Sequence, residues 1–210
     1  MKKFAVLLIM ALLLPLQACA QEQGAKWEKG THYKVLDEDA TDKPTITEYF
    51  SFWCPHCYNF EPIVAQIKNN MGDNTRFNKV HVNFMRVGGG QAVQDDATKA
   101  MMIGRALKQS EKLNAAIFNY IHEQRASVTG MKDLRSIFAV NGVDTAEFDK
   151  LASSFGVNSM VKKNQKMIDD YRSHLNGVPT FIINGKYMPV FTREMTQDDM
   201  VNLIVWLSNQ

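Results

Sequence analysis

The sequence changes its hydrophobic period at a closely spaced pair of cysteines, and this change constrains the fold more than any other feature. Apolar side chains alternate at the strand period of two from Thr45 to Phe52. After the Cys54–Pro55–His56–Cys57 motif they recur at helical spacing, at Phe60, Ile63, Val64 and Ile67. The sequence therefore predicts a strand that leads into the motif and a helix that begins at it.

The pattern along the rest of the chain predicts an α/β fold in the order βαβ, helical block, ββα. Residues 77–84 alternate again, so this strand is expected to lie parallel to the first after a right-handed crossover. From about residue 91 to residue 171 only helical periodicity is found. Strand character returns at residues 178–183, after which Asn184–Gly185 predicts a tight hairpin and Thr196 a last helix.

The first 20 residues have the composition of a secretory signal peptide. Two lysines precede an apolar run from Phe4 to Leu14, and Ala18–Cys19–Ala20 supplies the small residues of a cleavage site. The run is too short to span a bilayer, so we predict cleavage near Ala20 and an exported protein. As an alternative, residues 16–19 loosely resemble a lipoprotein signal that would place a lipid on Cys19.

The balance of charge argues against nucleic acid or an anionic membrane surface as the main partner. The chain has 24 Lys and Arg residues and 22 Asp and Glu residues, and the leader holds two lysines and no acid. The remaining chain is therefore close to neutral, whereas nucleic-acid binding depends on an excess of basic side chains. With 45% hydrophobic residues, the chain can bury a sizeable core.

The use of cysteine points to redox chemistry. Of three cysteines, only Cys54 and Cys57 lie outside the leader. A bridge across two intervening residues closes too small a loop to stabilise a fold appreciably. Haem attachment needs a histidine straight after the second cysteine, where Tyr58 stands. Zinc needs four ligands, and no metal site is predicted because the other histidines are scattered, at His32, His81, His122 and His174.

The position of the pair predicts which sulfur reacts first. Cys54 is expected at the start of the helix, where free N–H groups and the helix dipole favour an anion and a protonated His56 adds positive charge. Its thiolate is expected to form at neutral pH and to carry the mixed disulfide, with Cys57 as the resolving cysteine one turn inside the helix. A stabilised thiolate stabilises the reduced pair, so we hypothesise that the pair acts as an oxidant.

These motifs resemble the DsbA family of bacterial periplasmic disulfide oxidases, which belongs to the thioredoxin superfamily. The likeness covers nearly the whole mature chain and is carried by Phe50–Tyr58, His81–Met85 and Asn184–Tyr187. It implies a thioredoxin fold over residues 21–85 and 163–210, an inserted all-helical domain over residues 86–162, and a signal peptide over residues 1–20. Some members carry a second cysteine pair in the helical domain, and this sequence has none there.

The resemblance also implies a buried group that serves the cysteines. Glu48, on the apolar face of its strand, would be a proton relay for Cys57, with Lys79 as its charge partner, because a carboxylate there is costly unless it is paired. A plain salt bridge at the sheet edge is the alternative. Glu61 would tune the pair or, equally well, lie on a solvated helix face. The other residues expected to tune the pKa values are Pro55 and His56.

Finally, the resemblance implies a substrate-binding loop and partners. Pro179 would form a cis peptide bond opposite the cysteines and present the Val178 backbone to an extended peptide, with Thr180 supporting the loop. The clients would be unfolded or folding exported polypeptides, and a DsbB-like membrane protein would reoxidise the pair. The protein would be a periplasmic monomer without a metal or organic cofactor. A disulfide isomerase or reductase of the same fold and a peptide-binding holdase are the alternative functions.

Overall fold

The computed structural model describes residues 26–210, so the predicted signal peptide and the lipidation alternative at Cys19 lie outside the described residues. These residues form five strands, seven α-helices and a short 3₁₀ turn at Arg172–His174. The strands are β1 (Tyr33–Val35), β2 (Thr45–Phe50), β3 (Arg76–His81), β4 (Thr180–Ile183) and β5 (Tyr187–Pro189). The helices are α1 (Pro55–Asn70), α2 (Gly90–Ala106), α3 (Ser110–His122), α4 (Met131–Val140), α5 (Thr145–Ala152), α6 (Phe155–Asp170) and α7 (Gln197–Ser208).

The strands form one mixed sheet in the order β1–β5–β4–β2–β3. β2 runs parallel to β3 and antiparallel to β4, so it lies inside the sheet, and all six of its residues are buried. Burial on both faces explains why Ile46, Tyr49 and Phe50 supply apolar side chains to opposite sides of this strand. The predicted parallel βαβ unit is confirmed.

β3 is shorter than predicted. It ends at His81 instead of residue 84, because its partner β2 ends at Phe50, where the chain turns toward the cysteine motif. The Val82 N–H still donates to the Phe50 carbonyl at 2.8 Å, and Phe84 packs in the same apolar cluster as Val80. The apolar alternation therefore continues beyond the ladder of backbone hydrogen bonds.

The predicted hairpin after β4 is confirmed. Asn184 and Gly185 have φ angles of 51° and 74°, so both central residues lie in the left-handed region that a type I′ turn requires. The Lys186 N–H closes the turn on the Ile183 carbonyl at 3.0 Å. The Asn184 side chain also ties the hairpin to β2, because its Oδ1 accepts the Thr45 N–H at 2.8 Å.

Helices α2–α6 fill the chain between β3 and β4, and α2 contacts the other four. α6 also reaches the sheet, since the Asn164 side chain accepts the His81 N–H at 3.1 Å and donates to the His81 carbonyl at 2.8 Å. The division into domains stays a prediction, and its second boundary, between residues 162 and 163, falls inside α6. No helix within residues 26–210 has both the length and the apolar character to cross a membrane.

The apolar core is divided by the sheet. One cluster lies between one sheet face and helices α1 and α7, and another covers the opposite face around Tyr49 and Val80. A third cluster runs from Phe50, Phe52 and the cysteine pair into the helical block. The cysteines therefore lie where the sheet, α1 and the inserted helices meet.

Replacement of Gly185 by alanine is expected to destabilise the fold by about 2–3 kcal/mol. A Cβ atom would lie 2.6 Å from the Asp39 carbonyl oxygen and 3.1 Å from Tyr171 Oη, at a φ angle that disfavours side chains. Gly156→Ala is the control, because a Cβ there meets no atom within 4 Å, and its effect should stay within about 1 kcal/mol. Chemical denaturation measures both variants, and equal stabilities would contradict the tight packing of this hairpin.

Candidate active site

The cysteine pair lies at a sharp turn between β2 and α1. The Cys54 N–H donates to the Ser51 carbonyl at 3.1 Å, which closes the turn. Cys54 is the N-cap residue of α1 and Pro55 is its first residue, a position that suits proline because the N–H that it lacks would have no helical partner. Both cysteines are free thiols, Cys54 being 3% exposed and Cys57 fully buried.

The Cys54 sulfur takes the place of a helix-capping oxygen. Its Sγ accepts the Cys57 N–H at 3.2 Å, one of the donors that a helix start leaves without an intrahelical partner. A hydrogen bond from the Cys57 thiol is the main cause that lowers the pKa of Cys54 to about 6. The backbone N–H groups of Cys57 and His56 and the His56 charge act in the same direction, against burial. The same thiol–thiol bond and burial raise the pKa of Cys57.

The loop before β4 faces the reactive sulfur. The Val178–Pro179 peptide bond is cis, which confirms the prediction. The Cys54 thiol donates to the Val178 carbonyl at 3.3 Å, and both loop residues are half-buried. The Thr180 hydroxyl turns back to the loop and donates to the Gly177 carbonyl at 2.7 Å. The sulfur and the loop backbone therefore share one small surface, although they are far apart in the sequence.

A buried ionic network lies behind the pair. Glu48 and Lys79 are register partners on β2 and β3, and Lys79 Nζ is 3.0 Å from Glu48 Oε2 and also contacts Glu61 Oε1. Glu48 is fully buried on the inner strand β2, whereas Lys79 lies on β3 at the edge of the sheet, so the ion pair joins the edge strand to its neighbour. Burial raises the pKa of Glu48 against the effect of Lys79, and the charge of Glu48 contributes to raising the pKa of Cys57.

Two histidines that the sequence pattern left unassigned lie beside the motif. The ring centroid of His81 is 4.9 Å from that of Phe52, and His122 Nε2 donates to the Phe52 carbonyl at 2.8 Å. Burial lowers the pKa of His81 to about 3, so its ring is neutral. No local pattern marks either residue, because both contacts join segments distant in the sequence. Across residues 26–210, no three His, Cys, Asp or Glu side chains are grouped so that they could hold a metal ion.

The stability of the reduced protein is expected to rise between about pH 6 and pH 9, by up to about 4 kcal/mol relative to the disulfide form. In this window the unfolded chain keeps the Cys54 proton, since its thiol has the ordinary pKa of 9.0, whereas the folded protein has lost it. The stabilisation is complete above the unfolded pKa and is lost as pH falls through the folded pKa. The raised pKa of Cys57 affects the free energy of unfolding only at pH values above the ordinary thiol pKa.

Chemical denaturation over this pH range gives the free energy of unfolding of the reduced form and of the disulfide form. Groups that titrate alike in both forms cancel when the two free energies are subtracted. Reduced Cys54→Ser is the control and should show no such rise. A difference that stays constant with pH in the wild-type protein would contradict a stabilised thiolate at Cys54.

Relatives of known sequence share this motif-bearing region. A family model described as a DSBA-like thioredoxin domain matches residues 45–201. The thiol:disulfide interchange protein DsbA of Pectobacterium carotovorum subsp. carotovorum is 34% identical over 167 residues, which cover 78% of this chain and 77% of that protein. The DsbA of Escherichia coli strain K12 is 32% identical over 184 residues, which cover 86% of this chain and 83% of that protein.

Solved structures have the same fold. The disulfide oxidoreductase DsbA from Proteus mirabilis matches with a TM-score of 0.76 and 27% sequence identity, over 88% of this chain and 98% of that chain. A serine-for-cysteine variant of that protein, solved with a non-covalently bound peptide, matches with the same TM-score and identity, over 89% and 100%. The predicted thioredoxin fold with inserted helices is thereby confirmed. The chain belongs to the DSBA-like thioredoxin family and is a thiol:disulfide oxidoreductase.

Proposed function

We propose that this oxidoreductase is an oxidant that donates a Cys54–Cys57 disulfide to newly exported polypeptides. The observation that carries the proposal is the Cys54 sulfur at the start of α1, where it accepts the Cys57 N–H at 3.2 Å. A thiolate in that position exists only when the disulfide is open, so its stabilisation favours the reduced protein. A protein whose reduced form is stabilised gives its disulfide readily to ordinary thiols.

The proposed reaction consists of two thiol–disulfide exchanges. A client thiolate attacks Cys54 Sγ, the Cys54–Cys57 bond breaks, and Cys57 leaves with the electron pair and takes up a proton. A second client thiolate then attacks the client sulfur of the mixed disulfide, and Cys54 leaves as a thiolate. The client is oxidised by two electrons, which the cysteine pair receives. No metal or organic cofactor is needed, because the electrons stay on sulfur.

Two features favour attack at Cys54 and release from it. Cys54 is the more accessible sulfur, since Cys57 is fully buried. A pKa of about 6 makes Cys54 a good leaving group, because a thiol of low pKa departs faster. Pro55 begins the helix under this sulfur, and the His56 charge and N–H favour the thiolate, so we assign the tuning of Cys54 to both residues.

We assign client binding to the loop of Val178, Pro179 and Thr180. In the thiol form, the Val178 carbonyl accepts a hydrogen bond from Cys54 at 3.3 Å. Once Cys54 is joined to a client, this carbonyl is free to accept a backbone N–H from an extended client segment. Thr180 holds the loop through its bond to the Gly177 carbonyl. The peptide bound by the Proteus mirabilis relative supports a polypeptide client.

We assign the proton that Cys57 needs to Glu48. Burial raises the pKa of Glu48, so this carboxyl holds a proton more readily than an exposed one. Lys79 Nζ lies 3.0 Å from Glu48 Oε2 as its ion-pair partner, whereas Glu48 Oε1 has no hydrogen-bond partner within residues 26–210 and is free to exchange a proton. Glu61, which is 32% exposed, would connect the network to solvent through Lys79.

The proposed setting is the periplasm. A signal peptide cleaved near Ala20 would export the chain, and a lipid on Cys19 is the alternative form of the mature N-terminus. Export brings the protein into an oxidising compartment together with clients whose cysteines are still reduced. We propose a DsbB-like membrane protein as the oxidant that restores the disulfide. All proposed roles fall on residues of one chain, so we propose a monomer as the working form.

Cysteine replacements are expected to separate the roles of the pair. Cys57→Ser should accumulate a mixed disulfide on Cys54 when it meets a peptide disulfide, because the resolving thiol is gone. Cys54→Ser should form none and should oxidise a reduced, unfolded client only at the uncatalysed rate. Mass spectrometry and thiol titration give the two readouts. A mixed disulfide formed first on Cys57, or full oxidation by Cys54→Ser, would contradict the assignment.

The same proteins distinguish the alternative functions. An isomerase or reductase of this fold would have a pair whose equilibrium with glutathione lies toward the disulfide, whereas the proposed oxidant lies toward the dithiol. If the protein were a holdase, Cys54→Ser would suppress client aggregation as well as the wild-type protein does. The wild-type protein would oxidise no client in that case.

Glu48→Gln is expected to lower the rate of client oxidation about tenfold to a hundredfold at neutral pH, because an amide cannot supply the proton that Cys57 takes up. The pKa of Cys54 should stay unchanged, since its main hydrogen bonds come from Cys57. Glu111→Gln is the control, because Glu111 pairs with Lys68 at 3.0 Å and is 83% exposed. Stopped-flow oxidation of a dithiol peptide measures the rate, and equal rates for both variants and the wild type would remove Glu48 from the reaction.

A further inference from the structure

His122 contacts both sides of the cysteine motif. It is the last residue of α3, and its Nε2 lies 2.8 Å from the carbonyl oxygen of Phe52, in the turn that leads to Cys54. Its ring stacks on that of Tyr58, the residue after Cys57, with centroids 5.0 Å apart and planes inclined by 8°. One side chain of the inserted helices therefore touches the turn before the motif and the helical turn after it.

The direction of these hydrogen bonds is defined by chemistry. A carbonyl oxygen only accepts, so His122 Nε2 carries the hydrogen that it donates to Phe52. Tyr58 is held in the stack by its hydroxyl, which donates to Glu123 Oε1 at 2.7 Å. The Tyr58 N–H donates to the Cys54 carbonyl at 3.1 Å. The end of α3 thus contacts the backbone before the reactive sulfur and the Tyr58 side chain after it.

We propose that His122 is a positioning residue for the Cys54 thiolate. The inference rests on the proposed function, in which this thiolate drives transfer of the disulfide. The hydrogen-bond donors to the Cys54 sulfur belong to α1, whereas Cys54 itself comes directly after the turn at Phe52. His122 contacts both segments and holds them in position relative to each other. Without the bond to Phe52, the sulfur is less firmly held over the Cys57 N–H, and the reduced state loses stabilisation that the disulfide form does not use.

The second histidine beside the motif does not have this arrangement. His81 packs its ring against Phe52, but its Nδ1 makes a hydrogen bond to Thr98 Oγ1 on α2, at 2.8 Å. Its polar contact therefore joins β3 to the helical block and does not hold the backbone that leads to the cysteines. This difference singles out His122 as the residue that acts on the geometry of the pair.

A pair of amide variants tests the proposal. The glutamine of His122→Gln reaches about as far as Nε2 and can donate to Phe52, whereas the asparagine of His122→Asn reaches only about as far as Nδ1. We expect His122→Gln to stay within about twofold of the wild type in the acid dissociation constant of Cys54 and in the equilibrium constant for giving its disulfide to glutathione. His122→Asn should lower both constants about threefold to tenfold.

His32→Asn is the matched control for the loss of a half-buried histidine. The His32 ring packs edge-on against Trp27 at 5.5 Å and accepts the Glu28 N–H at 3.0 Å, just before β1. This variant should leave both constants of the cysteine pair unchanged. Thermal melts verify folding, and if His122→Asn does not fold, Tyr58→Leu, which removes the stacked ring, is measured in its place with a shift in the same direction expected.

The outcomes separate the inference from the proposed function. Unchanged constants in a folded His122→Asn or Tyr58→Leu variant would overturn the positioning role. Shifts of equal size in His122→Gln and His122→Asn would also overturn it, because the imidazole would then act by its packing and not through the bond to Phe52. A wild-type pKa of Cys54 at the ordinary thiol value would instead overturn the proposed function, whatever the His122 variants do.

Discussion

The chemistry of this protein depends on one sulfur atom at the start of one helix. The first N–H groups of α1 have no partner within the helix, and Cys54 Sγ accepts that of Cys57 at 3.2 Å. A hydrogen bond from the Cys57 thiol is the main cause that lowers the pKa of Cys54 to about 6, and the backbone N–H groups at the helix start act in the same direction. The same thiol–thiol bond and burial raise the pKa of Cys57, so the two thiols differ. In the proposed function this difference stabilises the open pair and gives the exchange its direction.

Local sequence patterns predicted the parts of the site whose contacts are local. The change of period at the cysteine motif predicted β2, the turn and α1, because only the short turn of residues 51–54 separates the strand from the helix. Asn184–Gly185 predicted its hairpin because few other residues adopt positive φ at both central positions. Glu48 stood out as a carboxylate on an apolar strand face, and it is fully buried beside Lys79.

Contacts between distant segments could not be predicted in this way. His122 lies far from the motif in the sequence, and helical periodicity does not reveal that its ring reaches the Phe52 carbonyl. The end of β3 depends on where its partner strand ends, and helical periodicity does not reveal that Asn164 of α6 bonds to the β3 backbone. The cis bond before Pro179 was expected from family resemblance and not from a local pattern.

The ionisation of Cys54 in the reduced wild-type protein tests this account most directly. A pH titration followed by the ultraviolet absorbance of the thiolate, with reduced Cys54→Ser as the background, isolates this one group. The account predicts a single thiolate with a midpoint at about pH 6 and no ionisation of Cys57 below the ordinary thiol value. A midpoint near 9.0, the ordinary value, would contradict it, because the helix start would then give the sulfur no advantage as an anion.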